Sequence, residues 1–448
     1  MILNGRALLA IGVVLGLVTA ALWVGAPYDV LWRLSAVIVL LALLLERLIT
    51  LRTRLDVSLV QPRLWYLGLP VEVQLRVQHN RRGALQLQLG IDPPAALDVA
   101  GEGTEEAVLI AEHGDHAFRW ELTGARLGEH SWPAQPVCQT GPFGLARWVS
   151  RVPLQAETST PLAREQHSTA VTRVEPEPLL HNLGAAAELS FGQRPQSRAS
   201  DQGIEFRTLR AYAPGDPPTR ISWKSLARSG ALMVREQEDD QRLDLAVLID
   251  SGKSAAYGVG PLDVSGLLGN LAARLSEWAL SQGDRVALMT YANVPLERLP
   301  PRAGVAQLRS VRTLLAAMQP RPVEANPLAA VLALRHLLSQ RALVLILTNL
   351  DDAASGQQLV DACRLLRPKH LPMLVSVEDP ALAAMTRNPA HTVDTVYQRL
   401  AAREIERGSM LATRELERLG ALVVRALPTH LESRVFDTYR RVKTLRSL

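Results

Sequence analysis

Three rhythms of apolar residues divide the chain. The first is unbroken: Ala7 to Ala26 reads ALLAIGVVLGLVTAALWVGA, close to the ~20 apolar residues a helix needs to cross a bilayer. After Pro27, Tyr28 and Asp29, a second run from Val30 to Leu45 is interrupted only by Arg33. That arginine lies near one end, where its long side chain can reach the headgroups. The pair predicts a two-helix transmembrane hairpin over residues 1–50. A cleaved signal peptide would have a shorter apolar core and a small-residue cleavage site, and GAPYD is a poor one. Arg6 precedes the first span and Arg47, Arg52, Arg54 and Arg63 follow the second. The excess of arginine at these ends puts both termini, and everything after residue 50, on the cytoplasmic side.

The second rhythm is alternation. VEVQLRVQ (71–78), LQLQLGI (85–91), AVLIAE (107–112) and HAFRWELT (116–123) are separated by the turn-forming HNRRG, DPP and EHGD. Period-two alternation between turns predicts half-buried antiparallel strands, here a β-rich, sandwich-like domain over residues 51–165. His113 and His116 are too few to hold a metal without a third ligand and read as surface turn residues. The glycines of QTGPFGLARW (139–148) read as serving backbone geometry.

From Leu243 the rhythm changes again. LDLAVLID (243–250), DRVALMTY (284–291), ALVLILTNL (342–350), LPMLVSVED (371–379) and ALVVRALPT (421–429) are nearly continuous apolar runs. Segments of helical period lie between them, including LLGNLAARLSEWAL, LRSVRTLLAAM, LAAVLALRHLL and GQQLVDACRLL. Buried strands alternating with amphipathic helices predict an α/β domain over 241–448, a doubly wound parallel sheet covered on both faces. In such sheets ligands sit beyond the carboxyl ends of the strands, which directs attention to Asp250–Ser254 and Thr348–Asp352. No GxGxxG follows the first strand, and the chain contains neither GxxxxGK[ST] nor GxSxG, so the nucleotide-binding and serine-hydrolase uses of such a sheet are unsupported. The polar-rich stretch Thr392–Gly420 predicts an exposed helix with i,i+4 ion pairs.

Composition changes this picture little. The net charge of +5 comes from 49 basic and 44 acidic residues and suits a mixed solvated surface with no nucleic-acid partner. Two cysteines, Cys138 and Cys363, in different predicted domains provide no disulfide framework and fit a reducing compartment.

Between the two soluble domains, residues 166–240 read as a connector containing the densest chemistry in the chain, YAPGDPPTRISWKSLARSG (212–230). Pro214 and Gly215 suit the central positions of a tight turn, and Pro217 and Pro218 delay the following helix. Arg210, Arg220, Lys224 and Arg228 can pair with carboxylates, Asp216 among them. Trp223 is a large apolar anchor. Two uses are open: a strap that docks one domain on another with Trp223 buried, or a surface that recognises an acidic partner.

The stretch Gly203–Glu238, GIEFRTLRAYAPGDPPTRISWKSLARSGALMVREQE, followed by a strand ending in Asp250, resembles the signature of the bacterial domain of unknown function 58 family. The matching residues include Arg210, Tyr212, Pro214, Gly215, Asp216, Arg220, Trp223, Lys224 and Arg228. The resemblance implies a von Willebrand factor A-like α/β domain and anchorage in the bacterial inner membrane. It also implies an adaptor role beside a MoxR-type AAA+ ATPase, with a small-molecule substrate not expected. Domains of that kind often hold Mg²⁺ through a DxSxS loop, a threonine and a second aspartate. Here the loop is DSGKS: Asp250 and Ser254 stand, Gly252 replaces the middle serine, and Asn349 stands where the second aspartate is expected, with Asp351 and Asp352 just beyond. PVEANPLAA has no threonine, only Glu324 and Asn326. The expectation is therefore no cofactor and no catalytic residue. Mg²⁺ on Asp250, Ser254 and Asp351 is the degenerate alternative, and a metal-dependent hydrolase using Asp250, Asp351 and Asp352 is the rival function. Lys253 can stand beside Asp250 and offset its charge, or point to solvent.

Overall fold

A computed structural model describes residues 2–24, 28–62, 64–80, 85–99, 105–110, 115–156, 170–179, 205–238, 242–259, 262–350, 353–387 and 392–445. They form two compact units, Met1–Glu175 and Pro176–Leu448.

In the first unit the two apolar runs are helices, Gly5–Val24 and Tyr28–Arg52. Gly5–Trp23 and Val30–Arg52 are each long and apolar enough to cross a membrane, and Leu9, Leu22, Trp23, Ile38 and Leu41 on them are exposed. Apolar residues pointing outward all round a helix need an apolar surrounding. The alternating segments are strands. One five-stranded sheet orders Ile2–Leu3, Ala146–Val152, Gln135–Thr140, Leu85–Gly90 and Glu105–Ile110. A second orders Leu154–Ala156, Leu55–Val60, Pro70–His79, Asp115–Gly124 and Leu97–Val99. A three-stranded sheet, Trp65–Tyr66, Val171–Glu175 and Gly128–Ser131, completes the unit. Period two decides which residues are inside: Val73, Leu75 and Val77 on one strand and Leu85, Leu87 and Leu89 on another are buried. His116 stacks edge-on against Phe118, with ring centres 4.8 Å apart. His113 lies outside the described residues.

The glycines of GPFGL have a use beyond turn geometry. Glu46, inside the second apolar helix, is fully buried, and its carboxylate accepts the Leu145 N–H at 3.2 Å and the Ala146 N–H at 3.1 Å. A Cβ on Gly141 would lie 2.1 Å from the Glu46 carboxylate, so only glycine leaves room for it. Asn4 and Arg47 close the same contact: Asn4 Nδ2 donates to the Gly144 carbonyl at 3.2 Å, and the Arg47 guanidinium sits 4.7 Å from the Trp148 ring centre.

In the second unit the sheet consists of β1 (Asp244–Asp250), β2 (Arg285–Tyr291), β3 (Pro295–Arg302), β4 (Ala342–Leu347), β5 (Leu371–Val377) and β6 (Leu422–Ala426), in the order 3-2-1-4-5-6. All neighbours are parallel except β3, which runs antiparallel to β2. The expectation of a wholly parallel sheet is corrected at that edge. β3 carries Pro295, Pro300 and Pro301, which an edge strand tolerates because one side needs no N–H donors.

The helices are α1 (Val264–Ser281), α2 (Val305–Ala316), α3 (Pro327–Leu337), α4 (Ala353–Leu366), α5 (Pro380–Arg387), α6 (Val393–Arg418) and α7 (Pro428–Leu445). Leu245, Val247 and Ile249 of β1 join Leu268, Leu275, Leu315 and Tyr439 in one core. Ala246 and Leu248 join Val331, Leu334, Leu359 and Cys363 in the other. The sheet is thus covered on both faces, as its continuous apolar strands require. Burial pushes the Cys363 thiol up to about 12, which keeps it protonated and unreactive. The polar stretch after Thr392 is helical, with a Thr392–Thr395 capping box, but the expected i,i+4 pairs are not among its described contacts. Its Glu415 pairs instead with Arg364 of α4, at 3.0 Å.

Candidate functional site

The strand order places a crevice at the point where the chain leaves β1 for opposite sides, beyond the carboxyl ends of β1 and β4. It holds about 420 Å³ and is lined by Asp250, Lys253, Ser254, Tyr257, Glu324 and Thr348, among others. Asp250 ends β1 and is almost completely buried. Its Oδ1 accepts the Gly252 N–H at 2.7 Å, and its Oδ2 accepts the Thr348 hydroxyl at 2.7 Å and the Ser254 hydroxyl at 3.2 Å. Burial pushes the Asp250 carboxyl above its ordinary value more strongly than these donors pull it down, and the Glu324 charge adds to the rise. Tyr291 ends β2 level with Asp250. Its hydroxyl is buried beside Thr348, and burial together with the Asp250 charge holds it well above the usual phenol range.

These shifts predict a pH dependence with a definite sign. An acid whose native pKa lies above its unfolded value of 3.8 binds its proton more tightly when folded. Its contribution to stability is complete below the unfolded value and is lost as pH rises through the native one. Asp250→Asn removes that slope, so its unfolding midpoint in denaturant, compared with that of the parent chain, gains on the parent as pH rises across this window. A parallel pair of pH profiles would contradict the assignment.

The neighbouring oxygens are committed elsewhere. Asn326 caps α3 by accepting the Ala329 N–H at 3.0 Å. The Asn349 side-chain oxygen accepts the Ser376 hydroxyl at 3.3 Å. Lys253 pairs with Glu324 at the exposed rim. Gly252 has ordinary extended backbone, so conformation is not what demands glycine there. The demand is space: a Cβ would come within 2.9 Å of the Val323 carbonyl and 3.1 Å of Ala325. A serine in the middle of this loop is therefore excluded by packing. Asp351 and Asp352 lie outside the described residues, and among the described residues no three His, Cys, Asp or Glu side chains are grouped to hold an ion. A hexacoordinate Mg²⁺ needs several hard oxygens free to converge. Among the described oxygens, Asp250 already accepts three hydrogen bonds and Glu324 pairs with Lys253, an arrangement that serves the loop's own structure.

Two groups at the crevice left no pattern in the sequence. Tyr257 donates its hydroxyl to Asp379 at 3.0 Å, across 122 positions. Ser376 donates to Asn349 from β5. Only the fold brings either pair together.

The other sequence-marked residues form a hairpin. Its strands, Glu205–Ala211 and Met233–Glu238, pair antiparallel. Between them Ala213 to Asp216 turn about Pro214 and Gly215, with Gly215 at φ +109° and the Asp216 N–H on the Ala213 carbonyl at 3.1 Å. Asp216 locks the turn by accepting Arg210 Nη1 at 2.7 Å, Arg210 Nη2 at 2.5 Å and the Ala213 N–H at 2.9 Å. A 3-10 turn, Pro218–Arg220, and a helix, Trp223–Ser229, follow. The Arg220 side chain lies outside the described positions. Lys224 and Arg228 are exposed on the helix. Trp223 is 62% exposed, which corrects the reading of a buried anchor: Ser222 takes the inward position, its N–H held by the Met233 carbonyl at 2.8 Å.

This hairpin and the sheet after it carry the family likeness. Residues 208–395 match the family described as protein of unknown function DUF58. The DUF58 match runs from the hairpin's first strand through the Asp250 crevice to the first turn of α6. Uncharacterised proteins of Mycobacterium bovis and Mycobacterium tuberculosis are 24% identical over 180 residues, 40% of this chain and 56% of theirs. The chain thus spans about half the length of the curated relatives it matches. Among solved structures, a conserved hypothetical protein BatB from Bacteroides thetaiotaomicron aligns with 44% of the chain and 99% of its own, at 12% identity and a TM-score of 0.28. A PapD-like domain of human CEP192 aligns with 24% of the chain and 87% of its own, at 13% identity and a TM-score of 0.17.

Proposed function

We propose that this DUF58-like chain is a membrane-anchored adaptor whose α/β unit binds another protein on the cytoplasmic side of a bacterial inner membrane, without metal and without catalysis. The observation that carries the reading is the exposed tryptophan. Trp223 stands on a short helix held by a locked turn, with Tyr212 and Leu232 also exposed and the Tyr212 N–H on the Leu232 carbonyl at 3.0 Å. Lys224 and Arg228 lie one turn apart beside it. A large exposed apolar side chain sharing a short helix with two cations, on backbone held by a locked turn, suits an acidic surface with an apolar pocket.

Two further features support the reading. The strand order 3-2-1-4-5-6 with an antiparallel third strand agrees with a von Willebrand factor A-like domain. At the position where such domains carry metal ligands, the Ser254 and Thr348 hydroxyls donate to Asp250. The family resemblance of the hairpin makes a MoxR-type AAA+ ATPase the expected partner in envelope-related assembly, with anchor arginines setting the orientation.

Photo-crosslinking from a benzophenone side chain at position 224 in native membranes, read by mass spectrometry, is expected to capture the ATPase, with capture lost in Trp223→Ala. Calorimetry of the detergent-solubilised chain with Mg²⁺ or Mn²⁺ is expected to show no binding. Micromolar binding abolished by Asp250→Ala would overturn the metal-free reading and favour the hydrolase.

A further inference from the structure

Helix α6 presents two different faces. Ala402, Ser409 and Leu416, spaced by seven, are buried toward the unit. At ~100° per residue the opposite side carries Val393, Val396, Tyr397, Leu400, Glu404, Arg407, Leu411, Arg414 and Arg418. Four apolar members of that stripe are strongly exposed, Val393 at 73%, Tyr397 at 69%, Leu400 at 57% and Leu411 at 56%. Glu404 and Arg407 are exposed in its middle, and among the described residues of their own chain neither has an ion-pair partner.

The order of residues along this stripe is complementary to its own reversal. We propose that α6 packs antiparallel against α6 of a second copy of this chain, about a two-fold axis passing between Ile405 and Glu406. That axis brings Leu400 level with Leu411 of the other copy, and Glu404 level with its Arg407. Tyr397 comes level with Arg414 and Val393 with Arg418. Each relation occurs twice, as a two-fold interface requires. The centre becomes a neutral cluster of two carboxylates and two guanidinium groups. On either side of it lies a leucine pair, and beyond that a tyrosine within reach of an arginine.

A parallel arrangement in register would set Glu404 against Glu404 and Arg407 against Arg407, which like-charge repulsion disfavours. Antiparallel packing also opposes the two helix dipoles favourably. The 26-residue helix is ~39 Å long, enough for the whole stripe to stay in contact at the ~8–10 Å separation of packed helices. A membrane face or an unrelated protein would suit the leucines equally. Neither accounts for a carboxylate and a guanidinium placed symmetrically about the middle of the stripe.

The test is the mass of the full chain in detergent, by sedimentation equilibrium over a concentration series. A monomer–dimer equilibrium is expected, with E404R or R407E each weakening association at least tenfold and the double variant E404R/R407E recovering most of it. The register is read separately by disulfide trapping with Cys138 and Cys363 replaced by Ala. Copies carrying L400C are expected to link to copies carrying L411C. They should not link to each other, because the axis puts the two positions 400 about 16 Å apart. A monomer at every concentration overturns the proposal, whether or not that monomer then binds vesicles or the ATPase. A dimer indifferent to E404R and R407E, or one trapped by L400C alone, overturns it as well.

Discussion

Replacing Glu46 by alanine is expected to lower the unfolding temperature of the β-rich unit by on the order of 10 °C. The carboxylate is the acceptor for two backbone N–H groups, those of Leu145 and Ala146. The side chain itself is fully buried, so water has no ready way to replace it. Each orphaned donor costs about 1–3 kcal/mol, and the void left by the missing side chain adds to that. Glu46→Gln keeps one acceptor and should fall about midway. Gly141→Ala should reproduce the loss from the other side, because its Cβ would lie 2.1 Å from the carboxylate and displace it. Tryptophan fluorescence of the detergent-solubilised chain on heating reports the transition. If Glu46→Ala melts with the parent, the carboxylate does not hold the helix to the GPFGL loop.

The α/β unit has a comparable dependence on Asp284. This fully buried carboxylate accepts the Leu243 N–H at 2.9 Å through Oδ1, and the Tyr439 hydroxyl and Lys443 ammonium, both at 2.7 Å, through Oδ2. It ties the start of β1 and the loop before β2 to α7. Burial, and then the Asp284 charge, holds the Tyr439 hydroxyl well above its ordinary range, so that hydroxyl remains a donor. Asp284→Ala leaves a partly buried ammonium and a buried hydroxyl without their acceptor, which costs roughly 3–5 kcal/mol. The expected signs are an earlier denaturant midpoint and early proteolytic release of the α7 segment. Because part of the cost is the stranded Lys443 charge, Asp284→Ala with Lys443→Met should recover a measurable share of it. Additive losses in the pair would mean that the two side chains do not interact.

What could be read from the sequence follows from how residues are buried. The four inner strands of the α/β sheet are covered on both faces, so their apolar runs are continuous and conspicuous. The outer strand β3 gives no such run, because its Glu297, Arg298 and prolines face solvent along an edge. Asp250, Ser254 and Thr348 could be located from strand ends alone. Tyr291, Ser376 and the Tyr257–Asp379 bond could not, since their meaning depends on which strands become neighbours. In the sequence Trp223 reads as an anchor, because large apolar side chains usually go inside. Its exposure follows from a helix of seven residues that begins at the tryptophan, with the preceding serine turned inward. Glu46 stands alone in a leucine-rich run, a signal for a buried partner, but its partners are backbone groups a hundred residues away.

The most direct measurement is a titration of a purified MoxR-type ATPase, the proposed partner, against the full chain in nanodiscs, by light interferometry, with Trp223→Ala and Arg210→Ala alongside. Saturable binding is predicted for the parent. Trp223→Ala should weaken it at least tenfold with an unchanged unfolding temperature, and Arg210→Ala should weaken it by loosening the Asp216-locked turn. Equal affinity for the parent and Trp223→Ala would contradict the claim that this hairpin is where the chain grips its partner.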